Sequence, residues 1–313
     1  MSNELVVLTS YFNPMRYRRR RNNYDVFMAD MRKVGVTVLT IECAFGETPF
    51  ELAPALDVIQ IRSQTLLWQK ERLLNLAASW LPASCKYVAW IDCDVTFDNK
   101  AWPKELVATL KKYPVAQLFE SCIRLNENGE EGDEPDIAYS FASVMRSSPQ
   151  LLDVGRYDLH GHTGYSWALR REIFDEVGLY DAAISGSADH FMAHAIYGAY
   201  NFCICNALKN DQSQIQHLKE WGDRFFARVR GQLGVVSGTI RHLWHGDAKD
   251  RRYFLRMHDI TSLGFDPYTD LTVRAGQPLE WSETMRKTGL REYFATYFSQ
   301  RKEDGLLAYQ DEK

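Results

Sequence analysis

The 313-residue chain has no stretch approaching the roughly 18 consecutive apolar residues of a membrane-spanning helix. Its opening, MSNELVVLTS, lacks the charged and apolar regions of a secretory signal. Cysteine is sparse and scattered: Cys43, Cys85, Cys93, Cys122, Cys203 and Cys205, with no pair at zinc-ribbon spacing. These absences point to a reduced, cytoplasmic protein, with Cys203 and Cys205 expected as inert thiols on one strand. An excess of positive charge is also missing. Lys and Arg number 37 against 41 Asp and Glu, for a net charge of −4 and a pI near 6.1. Proteins that coat nucleic acid are basic, so the arginine run in NPMRYRRRRNNY (residues 13–24) is a local feature on an acidic background. No glycine-rich phosphate loop with its lysine follows the first apolar run, which counts against a nucleotidyltransferase. Internal repeats and low-complexity linkers are lacking too.

What is present is aromatic and regularly patterned. The chain carries 8 Trp, 16 Tyr and 16 Phe, and core packing accounts for most of them. Apolar, β-branched runs at 5–12, 36–45, 57–63, 86–97 and 114–122 read as strands. Between them lie helical patterns at 16–35, 66–81 and 102–113, the last with Pro103 in its first turn. In the first helix Tyr17, Arg21, Tyr24, Met28, Met31 and Val34 share a face, so Arg21 points toward the fold, flanked by Arg20, and Arg18 and Arg19 toward solvent. Alternating strands and helices predict α/β architecture with a Rossmann-like, mostly parallel sheet. Further on, 124–136 reads as an acidic loop, and 160–166 as a turn-rich approach to a strand. Helices are predicted at 170–178, at 187–198 with Ser187 as N-cap, at 214–232 and at 247–260, and a strand at 238–246. The last fifty residues read as helical and peripheral.

The strongest local signal is AWIDCDVTF. Asp92 and Asp94 end an apolar strand and, two apart, are expected to face one cation. In an open α/β sheet, ligands collect at the carboxyl ends of strands. Two carboxylates on a hard divalent ion, with substrate phosphates completing the shell, is a common Mg²⁺ or Mn²⁺ arrangement.

Two later segments, GHTGYSWALRREIFDEVGLYD (161–181) with SGSADHFM (185–192), and HLWHGDAKDRRYFLR (242–256), make a resemblance specific. Together with the Asp-x-Asp strand end, they resemble GT-A fold glycosyltransferases of the inverting family-2 type and, distantly, the β-1,4-galactosyltransferases. More narrowly the chain is similar to a group of bacterial and phage glycosyltransferase-like proteins sharing SYFNP, WQKERLLN, AWIDCDV and HLWHG. The resemblance spans about residues 5 to 260. One departure stands out: the family-2 helix usually starts Glu-Asp, and here it starts Ala188-Asp189.

The resemblance implies a GT-A fold with a helical C-terminal extension. Residues 1–122 would form the nucleotide-sugar-binding half, 123–260 the acceptor-binding and catalytic half, and 261–313 the extension. It implies metal-dependent, inverting transfer of a sugar from a nucleotide-sugar, expected to be a UDP-sugar, to an acceptor hydroxyl. Asp94 would hold Mn²⁺ (or Mg²⁺), Asp92 the metal or the sugar and ribose, and His245 a third metal position. Imidazole plus carboxylate suits Mn²⁺ better than Ca²⁺. His242 is expected to orient the turn, with a role as a further metal ligand left open. Asp189 would be the general base. Trp167 would be a flat wall for sugar or acceptor, Gly161 and Gly164 would admit backbone close to the donor, and Arg21 would reach donor phosphate or acceptor. Strand-end positions assign donor binding to Ser10, Tyr11, Asn13, Glu42, Arg62 and Lys70, with Arg62 and Lys70 on the base and diphosphate. The acceptor stays open among a glycan, a lipid-linked sugar, a small molecule and, in a phage-type reading, DNA bearing hydroxymethylated bases, gripped through the outer arginines. A non-catalytic module on the same fold is disfavoured by the joint presence of Asp92, Asp94, Asp189 and His245.

Overall fold

The computed structural model describes residues 4–154, 157–200, 202–252 and 255–305. The first strand, β1 (Leu5–Tyr11), is buried along nearly its whole length, as an apolar run between two layers must be. It pairs in parallel with β2 (Thr37–Phe45), which pairs in parallel with β3 (Val58–Ser63). On its other side β1 pairs in parallel with β4 (Tyr87–Ile91). The chain then leaves this sheet for β5 (Val95–Phe97), returns for β6 (Val115–Gln117), and leaves again for β7 (Ser121–Arg124) and β8 (Asp136–Tyr139). Next, β9 (Ser166–Arg170) runs antiparallel between β4 and β6, and β10 (Leu233–Val235) adds in parallel to β6. The seven-stranded sheet therefore has the order β10-β6-β9-β4-β1-β2-β3. The expected α/β class with a mostly parallel central sheet is what the structure shows.

A second sheet, β5-β11-β7-β8, is built around β11 (Thr239–His242). Two expected strands are thus each divided between sheets. The run 86–97 breaks at Asp92–Asp94, and the run 114–122 breaks after Gln117. Asp92 and Asp94 consequently occupy a turn between two sheets, not one strand.

Helices α1 (Arg18–Val34), α2 (Lys70–Ala77) and α3 (Trp102–Leu110) follow β1, β3 and β5. Gly35 ends α1 in the left-handed conformation, its N–H bonded to the carbonyls of Met31 and Arg32. Two apolar cores result. One, around Leu8, Leu73, Trp90 and Phe191, lies on one side of the sheet, and the other, around Val7, Phe27, Ala89 and Trp102, on the opposite side. The alternation along β1 (Val6 and Leu8 in one core, Leu5 and Val7 in the other) is the period-2 geometry of a strand buried on both faces.

Several expectations are corrected. Cys203 and Cys205 sit on a helix, Phe202–Ala207, not a strand. All six cysteines are free thiols. The stretch expected as one helix over 247–260 is a short turn of helix at Ala248–Arg251 followed by Arg256–Ser262; Tyr253 and Phe254, between them, lie outside the described residues. Ser187 occupies the N-cap position of the Ala188–Ala195 helix but makes no capping hydrogen bond. The C-terminal region is not peripheral. Phe298 is buried against Phe12 and Phe45, and the Asp304 carboxylate accepts the backbone N–H groups of Arg18 and Arg19 at the start of α1. Residues 306–313 of the expected extension lie outside the described residues. Among the described residues no helix is long and apolar enough to cross a membrane.

Candidate functional site

Strand order reverses at β1: β2 and β3 lie to one side and β4 to the other. A crevice opens beyond the carboxyl ends of β1 and β4, where an open α/β sheet binds its ligands. Ser10 and Phe12 leave β1 into this cleft, and Asp92, Cys93 and Asp94 leave β4.

Asp94 faces two histidines delivered by β11 and the turn after it. Its Oδ2 lies 3.1 Å from His245 Nε2, and its Oδ1 lies 3.9 Å from His242 Nε2. The two Nε2 atoms are 2.9 Å apart. His242, expected to orient the turn with a ligand role left open, joins Asp94 and His245 in one three-residue group. One proton can lie between two such nitrogens, and a cation accepting both lone pairs satisfies them equally. The buried Asp94 Oδ1 has no hydrogen-bond partner, and burial lowers the His242 imidazole to about 4, leaving it in the neutral, ligating form. The donor set therefore fits a divalent cation. Asp92 is turned elsewhere: its Oδ1 is 2.5 Å from Lys70 Nζ. Burial opposes the Lys70 ammonium, but Asp92, Asp189 and Glu71 outweigh it and raise its pKa. Burial likewise raises the Asp92 carboxyl to about 6, against the pull of Lys70.

Asp189 stands in the first turn of the Ala188–Ala195 helix, its Oδ1 accepting the N–H of His190 at 2.9 Å, and it lines the same cleft. Gly164 makes room for it. A Cβ there would lie 2.8 Å from Asp189 Oδ2 and 2.9 Å from His162 Cε1. Gly164→Ala is expected to shift the carboxylate and slow turnover by about 10²-fold, the usual cost of a misplacement near 1 Å. The check is a comparison of turnover with thermal unfolding. Gly161 serves packing, not a ligand: a Cβ there would meet the Ser140 carbonyl oxygen at 2.7 Å.

One wall is aromatic, with different members from those expected. Trp167 is buried in the core, its indole N–H donating to the Thr163 carbonyl at 2.7 Å, so it forms no wall of the cleft. Two residues earlier, Tyr165 lines the cleft with φ 77°, stacked on His162 at 4.1 Å between ring centroids and 4° between planes. Ser187, with φ 79°, lines it too. Non-glycine residues in this conformation persist only where the surroundings over-determine them, and they concentrate at functional sites. Trp68 also lines the cleft, between Phe12 and the Arg301 guanidinium.

The other wall is cationic. Arg20, Arg251, Arg256 and Arg301 all reach the cleft. The buried Glu303 carboxylate gathers three of them: Arg301 Nε at 2.7 Å, Arg20 Nη1 at 3.3 Å and Arg251 Nη2 at 3.9 Å. Burial works against its charge, but the three guanidiniums outweigh that and hold it ionised, down to about 2. Arg256 donates to Ser187 Oγ at 2.9 Å. From the arginine run, Arg20 therefore faces the cleft. Arg21 pairs with Asp25 at 2.9 Å and donates to the Glu51 carbonyl, and Arg19 lies over the Trp244 ring.

Of the expected donor residues, the structure brings Ser10, Lys70 and Asp92 to the cleft. The others are engaged outside it. Tyr11 donates to Glu51 Oε2 at 2.5 Å, and Asn13 donates to the same oxygen at 3.1 Å. Glu42 accepts from the Glu51 N–H and from Gln60, and Arg62 binds the carbonyls of Gly46 and Thr48 beneath Phe50.

Glu71, beside Lys70, also lines the cleft and was not singled out by its sequence. Burial pushes it up to about 8, against the opposing charge of Lys70. A carboxyl raised in the folded state contributes stability that is complete below its unfolded value, near 4.5, and lost by about pH 8. Glu71→Gln is therefore expected to flatten the fall in stability between pH 5 and 8 by about 2 kcal/mol or more. Urea unfolding across that range measures it, and an unchanged slope would contradict the assignment.

Neither a protein-family model nor a curated protein matches the chain. Among solved structures it is similar to glucosyl-3-phosphoglycerate synthase from Mycobacterium tuberculosis in complex with Mn²⁺, UDP-glucose and phosphoglyceric acid. The identity is 13%, covering 83% of this chain and 78% of that one, with a TM-score of 0.42. It is similar to mannosyl-3-phosphoglycerate synthase from Rubrobacter xylanophilus at 12% identity, over 89% and 83%, TM-score 0.40. It is similar as well to the catalytic domain of Drosophila β1,4-galactosyltransferase 7 in complex with xylobiose, at 12% identity and TM-score 0.32. There 75% of this chain is covered and 64% of that one, so the chain spans under two thirds of that domain's length.

Proposed function

We propose that the protein is a glycosyltransferase that moves a sugar from a nucleoside-diphosphate sugar to an acceptor hydroxyl with inversion. The observation that carries this reading is the meeting, in one cleft at the switch point of the sheet, of three features: the Asp94–His242–His245 group, an arginine wall, and the Asp189 carboxylate. A nucleoside-diphosphate leaving group gains negative charge as the sugar–oxygen bond breaks. Asp94, His242 and His245 would hold a divalent ion, Mn²⁺ by the character of the donors, which as a Lewis acid stabilises that charge. Arg20, Arg251 and Arg301, gathered by Glu303, would meet the phosphates, since guanidinium forks match phosphate oxygens. Lys70 fixes Asp92, whose second oxygen is free to accept from a sugar or ribose hydroxyl. Asp189 takes the proton of the attacking acceptor hydroxyl, and attack opposite the departing diphosphate inverts the anomeric carbon. Tyr165 and Trp68 supply flat faces for sugar or base.

The test is a panel of nucleoside-diphosphate sugars with Mn²⁺, scored for release of the nucleoside diphosphate. UDP-sugars are expected to be hydrolysed slowly in the absence of acceptor. Failure to bind or turn over any member would remove the reading.

A further inference from the structure

A second group of ligating side chains lies apart from the Asp94 group. His160, His190, His194 and Cys203 each offer one atom, and these atoms all fall within 4.8 Å of one another. All four residues are buried, none more than 5% exposed. They come from three segments: His160 from Tyr157–His160, His190 and His194 from successive turns of Ala188–Ala195, and Cys203 from Phe202–Ala207. Residues four apart share a helix face, so both imidazoles of that helix are presented together.

The polar chemistry points inward. His160 Nδ1 lies 3.0 Å from the Gly161 carbonyl oxygen. A carbonyl only accepts, so that nitrogen carries the proton and Nε2 holds the lone pair. Nε2 is the atom that faces Cys203 Sγ, at 3.9 Å. A histidine whose outer nitrogen is tied to a backbone carbonyl is the arrangement that orients an imidazole for a metal. Cys203 Sγ is 3.3 Å from His190 Nε2. Neither ring nitrogen of His194 has a hydrogen-bond partner. A buried polar group left this way costs about 1–3 kcal/mol, and coordination would remove that cost.

We propose that His160, His190, His194 and Cys203 form a closed, tetrahedral site for one zinc ion. Bonds of about 2.0–2.3 Å place tetrahedral ligand atoms about 3.3–3.8 Å apart, so the group needs to contract by about 1 Å. Thiolate and imidazole select zinc over the harder ions that suit a carboxylate-containing group, which separates this site from the one at Asp94. Binding releases the Cys203 thiol proton to solvent and leaves the thiolate on the metal. With four protein ligands no position stays open for substrate, so the ion is structural. It joins three segments immediately behind Asp189, the residue before His190, and so fixes the helix turn that carries that carboxylate.

The test is metal analysis of protein purified through a metal-free affinity step from zinc-containing medium. About one zinc per chain is expected to survive dialysis against EDTA. Cys203→Ser and His194→Ala are expected to lose it, and Asp94→Ala to retain it. Cobalt-loaded wild type should show a thiolate-to-metal charge-transfer band that Cys203→Ser lacks. If the variants fail to fold, the wild-type zinc content and cobalt spectrum decide alone. Zinc below about a tenth of an ion per chain with no such band, or zinc lost on Asp94→Ala but kept by Cys203→Ser, would overturn the proposal.

Discussion

Replacing Asp94 by alanine is expected to lower kcat/KM for sugar transfer by about 10³-fold and to abolish saturable Mn²⁺ binding. The carboxylate is the one anionic member of its group. Without it, two imidazoles face each other at 2.9 Å with nothing to offset the charge of a divalent ion. Several kcal/mol of transition-state stabilisation depend on that ion, and about 4 kcal/mol corresponds to the stated factor. Calorimetric Mn²⁺ titration of the variant reads the binding directly, and donor turnover reads the chemistry. A variant that binds Mn²⁺ and turns over donor like wild type would disprove the assignment. The fold should survive, because Asp94 lies on the cleft wall, its Oδ1 has no hydrogen-bond partner, and the contact the variant loses is that of Oδ2 with His245.

Asp189→Asn is the second. The amide is nearly isosteric and can still accept the His190 N–H, so helix and cleft should persist, but it cannot take a proton. General-base assistance contributes about 10²–10⁴-fold, so kcat for transfer should fall by about 10³-fold with the donor KM little changed. Donor binding measured alongside separates the two roles. Loss of donor affinity with unchanged kcat would move Asp189 from catalysis to binding, and full activity would remove it from both.

How much of this was legible from the sequence depended on the range of the contacts. The alternation of strands and helices is local, so the parallel sheet and α1 to α3 could be read directly. Asp92 and Asp94 stand out because they end a local apolar pattern, whereas Asp189 and His245 come from the family resemblance and not from any local pattern. A helix face drawn through Tyr24 and Met28 turns Arg21 toward the ligand. Phe27, wholly buried and omitted from that face, turns it toward Arg20. Trp167 reads as a wall but lies inside β9 and packs into the core, whereas Tyr165, just before the strand and with φ 77°, escapes the strand alternation and reaches the cleft. The Glu303 cluster was invisible because its partners lie far apart in the chain. The histidine–cysteine group was hidden for the same reason: its spacing matches no short metal motif, and Cys203 read as one of two thiols on a strand.

The pairing of Arg20 with Glu303 spans 283 residues, and Asp304 closes the start of α1. On a ribosome the first strand and helix emerge long before the residues that complete the cationic wall. The nascent chain can begin its sheet early, yet the cleft acquires this wall only once residues 301–303 have emerged. Contacts of such separation are slow to close. A chain stopped near residue 297 would keep both apolar cores nearly whole and still lack Arg301, Glu303 and the cap on α1. Ordered secondary structure in such a fragment would therefore say little about whether it can hold a phosphate.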